Sequence, residues 1–191
     1  DEKTLMRWAA GILGKAGKKI TQRDMELLLT KTGTDMGNLR MEMEKLISYT
    51  EGRDVVTAED IEEICTTQTT NRIFDMVRAV TEKNQKRALE LYYDLLTLKE
   101  PPMRILFLLA KQYRQLLLAK QFAAAGLAQT EIASKLGVPG FVVRNITTCA
   151  RAYTISELEQ AVKDFVDAEE SVKTGRLEDK LSVELLIIKY S

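Results

Sequence analysis

The residue types that most often carry out chemistry in enzymes are scarce in this chain. Its 191 residues include no histidine, which removes imidazole bases, histidine metal ligands and the histidine-dependent serine and cysteine triads. The two cysteines, Cys65 and Cys149, are far apart and match no paired-cysteine metal spacing. We therefore expect no catalytic group, no metal and no cofactor here. Two reduced, buried thiols are expected instead, as in cytoplasmic proteins.

A cluster of glycine and lysine, Gly11, Gly14 and Gly17 to Lys19, invites comparison with a phosphate-binding loop. That loop needs a glycine five positions before its Gly-Lys pair, and serine or threonine after the lysine. Here Ile12 stands where the glycine is required, and Lys19 follows Lys18. The cluster is better interpreted as the end of a helix, where basic residues complement the helix dipole. Nucleotide binding is not expected.

A sharper pattern is TEIASKLGVPGFVVRNI, residues 130–146, which fits a helix-turn-helix with Gly137 at the turn. A version that reads DNA needs polar side chains on its second helix, where only Arg144 and Asn145 qualify. Two interpretations stay open. The apolar second helix favours a turn packed inside a helical bundle, and the alternative is a helical DNA-binding regulator that uses residues 130–146.

The first third of the chain is predicted to form a small helical bundle. Apolar residues recur at helical spacing from Leu5 to Ile12, and Thr21, Asp35 and Thr57 are each placed to cap a further helix. The stretch TTQTTN, residues 66–71, contains no apolar residue and is predicted to be a linker. We therefore expect one helical domain at residues 1–66 and a second at residues 67–191.

The second domain is also predicted to be helical. Pro101 and Pro102 precede its longest helix, expected at about residues 103–125, and another long helix is expected at residues 156–172. The last segment, VELLIIKY at residues 183–190, has the composition of a strand. No partner strand is visible elsewhere, so a buried helix is the better prediction. The predicted fold class is all-α.

Charge is balanced over the whole chain but not along it. Lys and Arg total 28, as do Asp and Glu, so neither a polyanionic partner nor a membrane surface is indicated. The middle third, residues 71–130, carries 10 basic and 5 acidic residues. We expect its net positive charge to lie where the two long helices of the second domain meet.

Several stretches of the second domain together resemble a known family. They are Ala88-Leu89, Pro101-Pro102 with Ile105-Leu106, Lys111 to Leu117, Leu136-Gly137-Val138, and Lys173-Thr174-Gly175 ahead of Glu184-Leu185-Leu186. In order and spacing they resemble the C-terminal domain of the delta-subunit family of bacterial DNA polymerase III, a clamp-loader component. The first domain is similar to that family's lid domain through Trp8, Glu44-Lys45-Leu46 and the cap at Thr57 to Ile61.

The resemblance implies an AAA+-like lid at residues 1–66 and a collar at residues 67–191 through which loader subunits form a ring. It implies a non-catalytic component of the DNA-directed DNA polymerase III holoenzyme, cytoplasmic and active in bacterial DNA replication. Its partners would be the other clamp-loader subunits, with no membrane partner. The family contacts the sliding clamp and most of the DNA through a first domain that the resemblance does not cover. Those contacts are expected only of the full-length protein and its complex.

A ring contact needs surface that an isolated subunit leaves exposed. We expect it on the two long helices of the second domain, where opposite charges would set the register between subunits. The predicted partner-binding residues are Arg104, Lys111 and Arg114 on the first of these helices, and Glu157, Asp164 and Asp167 on the second.

Overall fold

The computed structural model describes residues 2–66 and 69–191. Within these ranges the chain forms eleven helices and two strands of two residues each. The all-α prediction is confirmed. The chain divides into two compact units, residues 1–71 and residues 72–191. No helix in the described ranges combines the length and apolar character needed to cross a membrane.

The N-terminal unit is a bundle of four helices. They are α1 (Glu2–Lys15), α2 (Gln22–Thr32), α3 (Met36–Tyr49) and α4 (Ala58–Ile64). Each predicted cap is present: the Thr21 hydroxyl accepts from the Asp24 amide at 3.1 Å, and the Asp35 carboxylate accepts from the Asn38 amide at 2.8 Å. At α4 the Thr57 and Asp60 side chains bond each other's backbone amides. These short helices therefore begin where their own side chains satisfy free N–H groups.

Two short strands add a feature that the sequence did not indicate. Strand β1 (Lys19–Ile20) pairs in parallel with β2 (Val55–Val56), with Lys19 opposite Val55. The Lys18 ammonium donates to the carbonyl oxygens of Thr50 and Arg53 at 2.7 and 2.6 Å. The pairing was not predicted because two residues are too few to show an alternating pattern.

The predicted linker is partly helical. Helix α5 (Thr69–Thr81) already includes residues 69–71, and residues 67–68 lie outside the described ranges. The other helices of the C-terminal unit are α6 (Gln85–Thr97), α7 (Pro102–Ala124), α8 (Gln129–Leu136), α9 (Gly140–Ala150), α10 (Ile155–Lys173) and α11 (Asp179–Tyr190). Helix α7 has 23 residues and is therefore about 35 Å long.

Helices α7 and α10 run antiparallel through the core of the C-terminal unit. The rings of Tyr113 and Phe165 lie 4.9 Å apart, and the Gln121 amide donates to Glu159 at 3.5 Å. The residue number rises from 113 to 121 along α7 while that of the contacted residue falls from 165 to 159 along α10. The two helices therefore run in opposite directions. Tyr190 of α11 stacks on Phe165, with ring centroids 6.3 Å apart. Three helices therefore meet at one aromatic cluster.

Both cysteines are buried and unpaired, as predicted. Burial raises the pKa of the Cys65 thiol to about 12 and also raises the pKa of the Cys149 thiol. Because the thiolate is the reactive form, we expect a thiol reagent at pH 8 to label both residues slowly in the native chain and rapidly in denaturant. Rapid native labelling of either cysteine would contradict this burial.

Candidate functional site

One side of α7 presents a basic and aromatic surface. Arg104, Phe107, Lys111 and Arg114 recur at steps of three and four residues, which places them on one side of a helix. All four are exposed, and 61% of the Phe107 surface is accessible to solvent. We call these four residues the α7 face.

The cations of the α7 face differ in their partners. Arg104 pairs with Glu100 one turn earlier, at 3.1 Å. Lys111 and Arg114 form no ion pair with any carboxylate of the described residues. An exposed aromatic ring beside two open positive charges suits a partner that is both apolar and acidic.

The predicted acidic residues of α10 are already partly engaged inside the chain. Glu157 completes the N-terminal capping box of α10: the Thr154 amide donates to its carboxylate at 2.6 Å, and this hydrogen bond lowers the pKa of Glu157. Asp164 forms an ion pair with Lys189 of α11 at 2.6 Å and accepts from the Tyr190 hydroxyl. Asp167 is exposed. A partner-binding role for these three residues stays a prediction, and only Asp167 combines exposure with no such structural contact among those described.

The contacts of Asp164 join α10 to α11, and the stability that they contribute depends on pH. Burial raises the pKa of the Asp164 carboxyl, but hydrogen bonds from Lys189, Tyr190 and Gln160 outweigh it, so the pKa lies below its ordinary value. A carboxyl with a lowered folded-state pKa stabilises the fold above its unfolded-state pKa of about 4, and this contribution is lost as the pH falls through the folded-state value.

We therefore expect Asp164→Asn to lower the free energy of unfolding by about 1–2 kcal/mol at pH 7, because a charged acceptor is replaced by a neutral one while Lys189 remains partly screened by solvent. Urea unfolding of both proteins at pH 7, 5 and 3 would measure the difference. The difference between the two free energies of unfolding should be smaller at pH 3 than at pH 7. A difference that is the same at all three values would show that the charge of Asp164 contributes nothing.

A second exposed surface, on α11, was not foreseen. Val183, Leu186 and Ile187 are buried, but Leu181, Leu185 and Ile188 are 42%, 48% and 47% exposed. The prediction of a helix over residues 183–190 is confirmed, whereas its full burial was wrong. Tyr93 of α6 lies beside this strip, since its hydroxyl donates to Glu184 at 3.0 Å. We call Tyr93, Leu181, Leu185 and Ile188 the α11 face.

The helix-turn-helix pattern is a packing element. Gly137 ends α8 in the left-handed region, with φ of 65°, a conformation that costs glycine little. On α9 the side chains of Phe141, Val143 and Ile146 are buried. Helix α9 therefore packs into the core, and the alternative of a DNA-binding regulator has no support.

The glycine and lysine cluster also has a structural role. Gly17 follows the end of α1 with φ of 73°, and the Lys18 ammonium is bound by two backbone carbonyl oxygens. Within the part of the chain that the structure describes, no group of three Cys, Asp or Glu side chains is arranged to hold a metal ion.

Two known proteins with similar sequences are described as a DNA polymerase III subunit delta, one of them as a probable one. The DNA polymerase III subunit delta of Bacillus subtilis (strain 168) is 27% identical over 172 residues, which cover 90% of this chain and 50% of that protein. The probable DNA polymerase III subunit delta of Aquifex aeolicus (strain VF5) is 23% identical over 123 residues, covering 64% of this chain and 35% of that protein. The chain thus spans half or less of these relatives.

The structural comparison agrees with the sequence comparison. The solved Bacillus subtilis DNA clamp loader delta protein (YqeN) superposes with a TM-score of 0.85 at 25% identity, over 98% of this chain and 56% of that chain. The family model described as DNA polymerase III delta subunit, C-terminal domain, matches residues 70–190. That range contains helices α6 to α11 with both exposed faces. On this evidence the chain belongs to the DNA polymerase III delta subunit family, through its C-terminal domain.

Proposed function

We propose that the chain is the lid and collar part of a clamp-loader delta subunit, a non-catalytic component of the DNA polymerase III holoenzyme in bacterial DNA replication. Residues 1–66 would form the lid, and residues 67–191 the collar that joins the subunit to the other loader subunits. Contacts with the sliding clamp and with DNA are proposed only for the whole protein in its complex. This assignment also implies a cytoplasmic location.

The α7 face carries the proposal for assembly. Phe107 is 61% exposed and lies one turn from Lys111, which has no carboxylate partner in the described chain. A solvent-exposed aromatic ring beside unpaired positive charges is unfavourable in a monomer. It is typical of a surface that a binding partner covers. Its location in the unit that the family model matches supports a partner within the loader.

The direct test is to mix the purified chain with the other clamp-loader subunits and to measure the mass of the resulting complex. The proposal requires a complex that contains the chain at a fixed stoichiometry. A chain that remains monomeric in the mixture would contradict it. Salt-dependent binding of the isolated chain to duplex DNA, without subunit assembly, would instead support a nucleic-acid-binding role.

A further inference from the structure

The C-terminal end of α4 is held by polar side chains of two other helices. The Lys31 ammonium of α2 donates to the carbonyl oxygens of Ile61 and Glu62 at 2.9 and 2.5 Å. The Lys45 ammonium of α3 donates to the carbonyl oxygen of Ile64 at 3.4 Å. Carbonyl oxygens in the last turn of a helix lack partners within that helix, and positive charge is favourable beside them. Helices α2 and α3 therefore cap α4 from outside.

The two residues that follow α4, Cys65 and Thr66, are held by Glu42 of α3. Glu42 is only 4% exposed, and its carboxylate accepts from the Thr66 amide at 3.1 Å and pairs with Lys45 at 2.6 Å. Cys65 is 5% exposed, and its thiol lies beside the same carboxylate. A buried carboxylate is unfavourable unless it is paired and hydrogen-bonded. The position of Thr66 and the ion pair therefore depend on each other.

Apart from these contacts, α4 has few anchors. Of its seven described residues, Asp60 and Ile61 are buried, whereas α2 and α3 each bury four. Segments with few buried apolar contacts open locally before the rest of a domain unfolds. The end of α4 is therefore held more by charged groups than by apolar packing.

We propose that Lys31, Glu42 and Lys45 form a clamp on residues 64–66, and that opening of this clamp adds those residues to the connection between the two units while α1 to α3 stay folded. The family model matches the chain from residue 70 onward, so the clamp acts just before that domain begins. Three released residues span up to about 10 Å when extended. An open clamp therefore gives the connection a longer reach than a closed one. All the contacts of the clamp lie in the N-terminal unit, and the inference does not depend on the proposed assembly.

The test measures how fast Cys65 becomes accessible in the native chain. Cys149 in the C-terminal unit is also buried and serves as the reference within the same molecule. We expect Glu42→Gln and Lys45→Gln each to raise the rate at which a thiol reagent labels native Cys65 at pH 8 by about tenfold or more, because either substitution breaks the charged pair that closes the clamp. The labelling rate of Cys149 should not change.

The two variants separate opening of the clamp from a change in thiol acidity. Burial is the main cause of the raised pKa of Cys65, the charge of Glu42 raises this pKa further, and the charge of Lys45 lowers it. Without opening, Glu42→Gln would therefore speed labelling and Lys45→Gln would slow it. Faster labelling of Cys65 in both variants requires opening, and any other pattern would overturn the inference.

Hydrogen exchange of the backbone amides shows whether the opening is local. In both variants we expect the amides of Cys65 and Thr66 to exchange about tenfold faster or more than in wild type. The amide of Met43, a buried residue of α3, should exchange as slowly as in wild type. Faster exchange throughout α1 to α3 would mean that Glu42 and Lys45 support the whole N-terminal unit, and it would overturn the clamp.

The matched control is Glu44→Gln, the same substitution on the same helix. Glu44 pairs with Arg40 at the surface, where its side chain is 59% exposed, and it makes none of the contacts of the clamp. This variant should match wild type in both measurements. If it accelerates Cys65 labelling as much as Glu42→Gln does, the inference is overturned, because any loss of charge on α3 would then have the same effect.

Discussion

Replacing Phe165 by alanine is expected to destabilise the C-terminal unit by about 3–5 kcal/mol, the usual cost of removing a buried aromatic ring. Phe165 is 2% exposed, and its ring contacts Tyr113 of α7 and Tyr190 of α11. The substitution leaves a cavity where three helices meet, and both tyrosines beside it are held by hydrogen bonds. Tyr113 bonds Tyr153 at 3.1 Å, and Tyr190 bonds Asp164.

Urea unfolding followed by far-ultraviolet circular dichroism would measure this loss. The neighbouring residue supplies the control: Val166 lies on the exposed side of the same helix and is 58% exposed, so Val166→Ala should change stability by about 0.5 kcal/mol or less. Similar effects of the two substitutions would mean that the aromatic cluster is not the core of this unit.

The local parts of this fold can be predicted from sequence because their causes are local. The hydroxyl of Thr57 and the carboxylate of Asp60 reach each other's backbone amides within one turn, so four consecutive positions contain the whole signal for the start of α4. The same holds for Thr21 and Asp35. The prolines at the start of α7 are an equally direct signal, since Pro101 is the N-cap residue and Pro102 fits the first turn of the helix but would disrupt a later turn.

The distribution of exposure depends on long-range packing and is harder to predict. In residues 183–190 nearly every side chain is apolar, so periodicity cannot show which side of α11 contacts α6 and α7. Two apolar stripes run along the helix at helical spacing, Leu181, Leu185 and Ile188 on one side and Val183, Leu186 and Ile187 on the other, and only the second is buried. The acidic residues of α10 show the same limit. Asp164 forms an ion pair with Lys189, which lies on another helix, α11.

Reversing one charge on the α7 face is expected to weaken assembly without affecting the fold. Arg114 is exposed, and no carboxylate of the described chain pairs with it, so Arg114→Glu should leave the melting temperature nearly unchanged. If an acidic surface of a neighbouring subunit meets this face, the new carboxylate repels it. We expect binding to the other loader subunits to weaken by about tenfold or more at low salt, and by less at high salt, where the repulsion is screened.

Two further variants make this result specific to the position and to the charge. Arg114→Lys keeps the positive charge and should assemble nearly as wild type, while Arg23→Glu, an exposed cation of α2 in the N-terminal unit, should have little effect. A destabilised Arg114→Glu protein would mean that Arg114 supports the core. A stable Arg114→Glu protein that assembles normally would contradict an assembly contact through the α7 face.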